Sequence, residues 1–136
     1  MRERLAAART AHLATVRPDG RPHVVVCCFA VAVAVAVAAD VAWSAVDGKP
    51  KSRTDLQRVR NIEAAPAASL LVDHYDDEDW SALWWVRVDG TARVVADGAE
   101  HAAAMQTLRA KYPQYGAMAL DGPVVALDIE SWRGWP

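Results

Sequence analysis

The stretch "VVVCCFAVAVAVAVAAD", residues 24–40, decides the fold. A helix that spans the hydrocarbon core of a membrane needs about 20 consecutive apolar residues, and this run ends at Asp40 before reaching that length. Periodicity then separates strand from helix. Val31, Val33, Val35 and Val37 alternate with Ala30, Ala32, Ala34 and Ala36, so the valines share one face only if the period is two. In a helix the same valines would spread around the cylinder, and their branched side chains would lose χ1 freedom against the preceding turn. The run reads as a strand. One face is bulky, with Cys27, Phe29 and the valines; the other becomes small beyond Cys28 and admits a close neighbour. That neighbour is another sheet, a second subunit, a flat ligand or simply tightly packed backbone. Left exposed, such a strand would recruit other chains, so it is expected to be paired on both edges.

With 136 residues and 53% hydrophobic content the chain can bury one sizeable core, and residues 1–136 are expected to form a single domain. A net charge of −2 gives no global attraction to nucleic acid or to an anionic membrane, so any anion site must be local. The opening "MRERLAAARTAHL" carries Glu3 and Arg9 among its apolar residues and lacks the continuous apolar core of a signal peptide, which leads us to expect a cytoplasmic protein. Cys27 and Cys28 are neighbours on the strand and point to opposite faces, so they read as reduced, small core residues.

The rest of the chain is read from turns and caps. "HLATV" and "RPHVVV" flank "RPDG" and form a hairpin. The Val-Ala strand turns back near residues 38–40 into "VAWSAV". "TDLQ" is a capping box in which Thr54 accepts from the backbone and Gln57 reaches back; it opens a helix with Leu56, Val59 and Ile62 on its buried stripe, ended by Pro66. "ASLLVDHY" follows as a strand. In "LWWVRVDGTARVV" the pair Asp89-Gly90 between two alternating runs predicts another hairpin. A second capping box, Asp97 to Glu100, opens a helix with Met105, Leu108 and Tyr112 on one stripe, stopped by Pro113, and "VVALDI" is the last strand. About six strands and three helices, dominated by hairpins, describe an α+β antiparallel barrel or sandwich.

"KPKSRTDLQRVR" is the segment richest in chemistry: Lys49, Lys51, Arg53, Arg58 and Arg60 stand against the single acid Asp55. The first three lie before or at a helix amino terminus, where free N–H groups and the helix dipole already favour an anion, and Arg58 is one turn beyond Thr54. This is either a cradle for phosphate or carboxylates or a solvated basic helix face. A nucleic-acid surface fits less well, because the cluster is short and without interleaved aromatics. "DHYDDED" reads as a solvated acidic loop, since the carboxylate spacing of a cation-binding loop is absent, and no metal is expected. His101 reads as a satisfied, partly buried histidine. No nucleophile motif, phosphate-binding loop or dinucleotide fingerprint occurs, so no catalytic residue is assigned. On "LWWVRV", Trp84 and Trp85 must face opposite sides, which frees one for a surface or a ligand.

In order along nearly the whole chain, "ATVRPDGRPHVV", "VAWSAVDGKPK", "LQRVRNIEAAPAASLLVD", "WWVRVDGTARV" and "VVALDIESWRGW" resemble the split β-barrel flavin and deazaflavin oxidoreductases, the pyridoxamine 5′-phosphate oxidase-like superfamily, and in particular its actinobacterial branch of probable F420-dependent enzymes. The resemblance implies an FMN-binding-like split barrel of six to seven antiparallel strands with flanking helices. It also implies a homodimer with two cofactor sites at the subunit interface, and neither membrane nor nucleic-acid binding. Within residues 58–62 it assigns the cofactor phosphate to Arg58 and counts Asn61 among the binding residues. Lys49 and Lys51 would serve the phosphate or the acidic tail, Ser44 and Ala45 would run beside the ring, and Trp85 is placed by analogy. Two departures stand out: relatives often carry proline where this chain has Val26, and the Val-Ala extension is longer than usual.

The function so implied is a reductase that uses F420 to pass a hydride to an electron-poor organic acceptor. Chemistry of this kind belongs to the cofactor, which accounts for the lack of a catalytic triad. The sequence offers more cations than one phosphate requires, which favours the polycarboxylate tail of F420 over FMN. The alternatives are an FMN-dependent enzyme on the same barrel and a non-catalytic cofactor or tetrapyrrole binder.

Overall fold

The structure, a computed structural model, describes residues 1–32, 40–46, 53–118 and 120–136, with only the backbone of residues 53–56. Most of the Val-Ala extension, Lys49 and Lys51, and the Thr54 cap expected from the sequence lie outside the described residues.

Among the described residues seven antiparallel strands form one curled sheet, a split half-barrel, with three α-helices. β1 (Ala11–Val16) and β2 (Pro22–Cys27) make the first hairpin, with Ala11 opposite Cys27 and Val16 opposite Pro22. The turn is the one the sequence predicts. Gly20 takes φ +88°, a conformation that favours glycine, and Asp19 accepts from the Arg21 N–H at 3.0 Å. β3 (Ala30–Val31) pairs with β4 (Val41–Ala45), so the return strand forms as expected, while the expected turn near residues 38–40 lies largely outside the described residues. β5 (Ala67–His74), β6 (Trp84–Val95) and β7 (Val124–Trp135) complete the order β2-β1-β5-β6-β7-β4-β3.

β2 and β3 are the two ends of that order, yet only Cys28 and Phe29 separate them in sequence. The quoted strand therefore changes partner midway, from β1 to β4, and this change carries the chain from one edge of the sheet to the other. The expectation that it pairs on both edges is corrected: among the described residues each half has one strand partner. The alternation holds through the break. Cys27, Phe29 and Val31 face the barrel core with Leu13, Leu70, Val86 and Leu127, whereas Cys28, Ala30 and Ala32 face a second cluster built on Leu108, Tyr112 and Tyr115. The neighbour on the small face is a helix, α3 (Gly98–Lys111), which contacts both β3 and β4.

Gaps in the ladder at Cys28 and Phe29 are filled by side chains, as buried backbone polar groups require. The Phe29 N–H donates to the Tyr112 hydroxyl at 3.0 Å, and the Phe29 carbonyl accepts from Lys111 Nζ at 2.9 Å. Ser44 Oγ donates to the Cys28 carbonyl at 2.8 Å. Both core clusters share β7, where Val125 and Leu127 point into the barrel and Val124 and Ala126 point at α3.

Two sequence expectations are corrected. Asp89-Gly90 is no hairpin turn: residues 84–95 form one strand, with a register shift between these two residues where β6 meets β7. Glycine at this point reflects close approach of backbone, because a Cβ on residue 90 would stand 1.9 Å from the Asp128 carbonyl oxygen. The Asp97–Glu100 capping box does not close either. Asp97 occupies the N-cap position without a side-chain cap bond, and Glu100 instead accepts two bonds from Arg93 at 2.6 and 2.7 Å and one from Trp43 Nε1 at 3.2 Å. The rest of α3 agrees with its reading: Met105, Leu108 and Tyr112 are buried, and the helix stops before Pro113. α1 (Arg2–Ala7) seats Leu5 in the core, and α2 (Arg53–Ala64) ends before Pro66, with Ile62 buried and Val59 packed on the core.

Candidate functional site

α2 turns Arg58 inward. Although arginine is rarely buried, this one is 6% exposed and forms a wall of a cavity of about 210 Å³ shared with Thr10, Val26, Cys27, Cys28 and Ala45. The cavity opens beside the place where β2 ends and the chain changes partner, so its walls come from β2, β4 and α2. The guanidinium acts on its surroundings. His23, on β2, is held below the ordinary histidine value by burial, then by the charges of Arg17 and Arg58. The Cys27 thiol is pushed up by burial, against the opposing pull of Ser44 and Arg58. A buried, permanently charged guanidinium on the wall of a small cavity is suited to an anionic group.

The candidate residues separate into groups. Arg58 and Ala45 line this cavity together. Ser44 is buried nearby, with its hydroxyl on the Cys28 carbonyl. Asn61, one turn on from Arg58, is fully buried; its amide donates to Thr15 Oγ1 at 3.0 Å and accepts from Gln57 Nε2 at 2.7 Å, tying α2 to β1. The Gln57 side chain thus runs forward to Asn61. Trp85 lies elsewhere, on the outer face of the sheet, in a shallow depression with His12, Val24, Leu71, Asp73 and Arg87, while Trp84 packs on the core and stacks with His74 at 6.0 Å. Lys49 and Lys51 lie outside the described residues.

Residues that the sequence reading did not assign also line the cavity: Thr10, Val26, Cys28 and Tyr115. Cys28 was legible only as a strand residue on the small face, and Tyr115 reaches the site through a 3-10 turn, Pro113–Ala117, that no motif marks. The acidic loop is spent on its own backbone. Asp76 accepts from the Glu78 and Asp79 N–H groups at 3.0 and 3.1 Å, and Asp79 accepts from the Ser81 N–H at 3.0 Å. Among the described residues no three His, Cys, Asp or Glu side chains come together as metal ligands. His101 meets the Gly122 carbonyl at 2.8 Å and is satisfied there. Among the described residues no helix is long and apolar enough to cross a membrane.

A curled antiparallel half-barrel with a buried arginine beside its seam is a split barrel of the kind that typically holds small molecules. Residues 1–136 match the family described as Pyridoxamine 5'-phosphate oxidase, and the chain belongs to that family. Among curated proteins none matches significantly. Solved structures share the fold. A conserved hypothetical protein from Mycobacterium tuberculosis is 22% identical with a TM-score of 0.74, over 98% of this chain and 80% of that one. The heme storage protein HutZ from Vibrio cholerae is 18% identical with a TM-score of 0.67, over 98% and 89% of the two chains. A structure described as an F420 reductase is 25% identical with a TM-score of 0.63, over 96% and 94%.

Proposed function

We propose that this protein is an F420-dependent reductase that works as a homodimer. The observation that carries the reading is Arg58, a buried guanidinium on the wall of a cavity whose other walls are Thr10, Val26, Cys27, Cys28, Ala45 and Tyr115. In this reading Arg58 grips the cofactor phosphate, Lys49 and Lys51 hold the acidic tail, and Ala45 with Ser44 lies along the ring. Asn61 serves indirectly, by fixing α2 on β1 so that Arg58 keeps its aim. When bound, reduced F420 supplies a hydride, which an electron-poor organic acceptor takes up together with a proton from water. The chain's share is to bind, orient and keep the ring surface dry. The likeness to an F420 reductase supports this choice of cofactor.

A cavity of about 210 Å³ is smaller than the 300–1,000 Å³ usual for small-molecule sites, so one protomer supplies part of the site. Val26 points to the remainder: it is 62% exposed, lines the cavity, and continues into an outer face that bares Val24 and Trp135 beside Trp85. Apolar exposure of this kind on a sheet face supports burial against a second copy, which would bring its Trp85 face to the site.

Titration of F420 and FMN into the purified protein, read by tryptophan fluorescence, tests the reading. F420 should bind more tightly than FMN, and Arg58→Gln should weaken it about tenfold or more, the loss expected for a charge-assisted bond. Preference for FMN would move the protein to the flavin branch. A Soret band on heme addition, with no response to F420, would make it a tetrapyrrole carrier.

A further inference from the structure

A second cavity, of about 560 Å³, adjoins the Arg58 cavity and shares Cys28 and Tyr115 with it as a common wall. Its other sides come from Arg9, Tyr112, Gln114 and Met118. The volume is that of an ordinary small-molecule site, and Tyr112, Tyr115 and Met118 give its lining aromatic and thioether carbon. Arg9, an exposed residue, lines it and makes two contacts. Its Nη2 donates to the Lys111 carbonyl at 2.8 Å and its guanidinium lies 4.8 Å from the centre of the Tyr112 ring. A guanidinium has five N–H donors, so most of the fork remains for a ligand. Among the described residues no carboxylate pairs with Arg9. Two neighbouring cations are engaged with backbone: Lys111 Nζ donates to the Phe29 carbonyl at 2.9 Å, and Arg109 donates to the carbonyls of Tyr115 and Met118 at 3.4 and 3.3 Å. Among the described residues Arg9 is the planar cation that the cavity lining itself presents, and over an aromatic floor it selects a monoanion with a flat body, because a carboxylate matches the fork in two bonds while a phosphate dianion calls for further donors.

We propose that this cavity binds a small planar carboxylate, its acid group on Arg9 and its unsaturated body between Tyr112, Tyr115 and Met118, reaching over Cys28 toward the Arg58 cavity. The proposal rests on the function given above for one point only, that the ligand so held lies beside the cofactor. Arg9 sets specificity at this site; it takes no part in the chemistry.

Cys28 supplies the readout. It lines the cavity and is partly exposed, whereas Cys27 is 6% exposed and serves as an internal control. Alkylation of the full-length protein by iodoacetamide, without cofactor, is followed by peptide mass spectrometry in the presence of cinnamate or its neutral counterpart cinnamamide. Cinnamate at about four times its Kd should slow Cys28 alkylation about fivefold, by mass action. Cinnamamide should protect much less, Arg9→Gln should abolish the difference between acid and amide, and Arg9→Lys should restore part of it. Equal protection by acid and amide, no protection by cinnamate, or acid-selective protection that survives in Arg9→Gln would overturn the proposal. If Arg9→Gln fails to fold by circular dichroism, Gln114→Glu decides: a carboxylate placed on the same wall should weaken cinnamate about tenfold, and unchanged protection would overturn the site. Because no cofactor is present, these outcomes are independent of the F420 and FMN titrations. Selective protection with no F420 binding keeps the site and removes the cofactor reading; F420 binding without selective protection does the reverse.

Discussion

The hydroxyl of Tyr112 stands where a strand neighbour of Phe29 is missing, accepting the Phe29 N–H at 3.0 Å and lying 2.8 Å from the Phe29 carbonyl. Both groups are buried, and 83 residues of sequence separate them. Tyr112→Phe keeps the ring and leaves the Phe29 N–H without its acceptor, so it should lower stability by about 1–3 kcal/mol, the cost of an unsatisfied buried group. Urea unfolding followed by far-UV circular dichroism measures this. An unchanged midpoint would mean that the contact adds nothing.

Gly90 makes a comparable demand with backbone alone. A methyl group there meets the Asp128 carbonyl oxygen, and the oxygen belongs to a strand paired on both sides. Gly90→Ala should cost about 3 kcal/mol or more, at or above the upper end for overpacking. At Gly20 nothing lies within 4 Å of an added Cβ, and only the positive φ is strained. Gly20→Ala should therefore cost about 1 kcal/mol. Equal losses in the two variants would show that the β6–β7 contact relaxes freely.

Arg93 joins α3 to the sheet, with two bonds to Glu100 at 2.6 and 2.7 Å and two to Asp128 at 2.8 and 3.0 Å. Hydrogen bonds from Arg93 hold the Glu100 carboxyl below its usual range. A carboxylate with a depressed folded-state value stabilises the protein above its unfolded value of about 4.3 and loses that contribution as pH falls through the folded one. The groups are partly exposed, so the expected loss is about 1 kcal/mol. Glu100→Gln should remove this part of the acid destabilisation. A wild-type and Glu100→Gln stability difference that stays constant between pH 7 and pH 3 would refute the assignment.

Lys111 is lowered to about 8, first by burial and then by the charge of Arg9. At pH 8.5 its amine should be largely neutral, whereas an ordinary lysine is still protonated there. Competitive acetylation at graded pH, read by mass spectrometry, should show Lys111 with a midpoint near 8 after correction for exposure. The sign on stability is set by the same displacement: the unfolded chain holds the proton more tightly, so this group's contribution improves as pH rises between the two values. Arg9→Gln should raise the Lys111 midpoint, and a midpoint that does not move would dissociate the two cations.

The alternation of residues 24–32 was enough to reveal a strand with a bulky and a small face, because side-chain direction follows from backbone geometry alone. The first hairpin was equally legible, since Pro18, Asp19 and Gly20 dictate their own turn. Asp89-Gly90 misled for the converse reason. The dipeptide serves a turn or a bulge equally well, and the choice is made by Asp128, which is remote in sequence. Glu100 was read as a cap because its distant partners, Arg93 and Trp43, are assembled only by the sheet. At the candidate site, basic charge pointed to Arg58, and the fold then paired it with Ala45. The neighbouring cavity was invisible to sequence, for it joins Arg9 of the amino-terminal segment to residues following α3.

The change of partner at Cys28 has a mechanical corollary. Among the described residues the edges formed by β2 and β3 are joined by the covalent link Cys28–Phe29, whose backbone is held by Tyr112 and Ser44, with no ladder between the two strands. A molecule wedging the two edges apart by a fraction of an ångström would stretch a few side-chain bonds and rupture no backbone rung. Strain at this point is thus borne by the side chains of Tyr112 and Ser44 before it reaches the sheet.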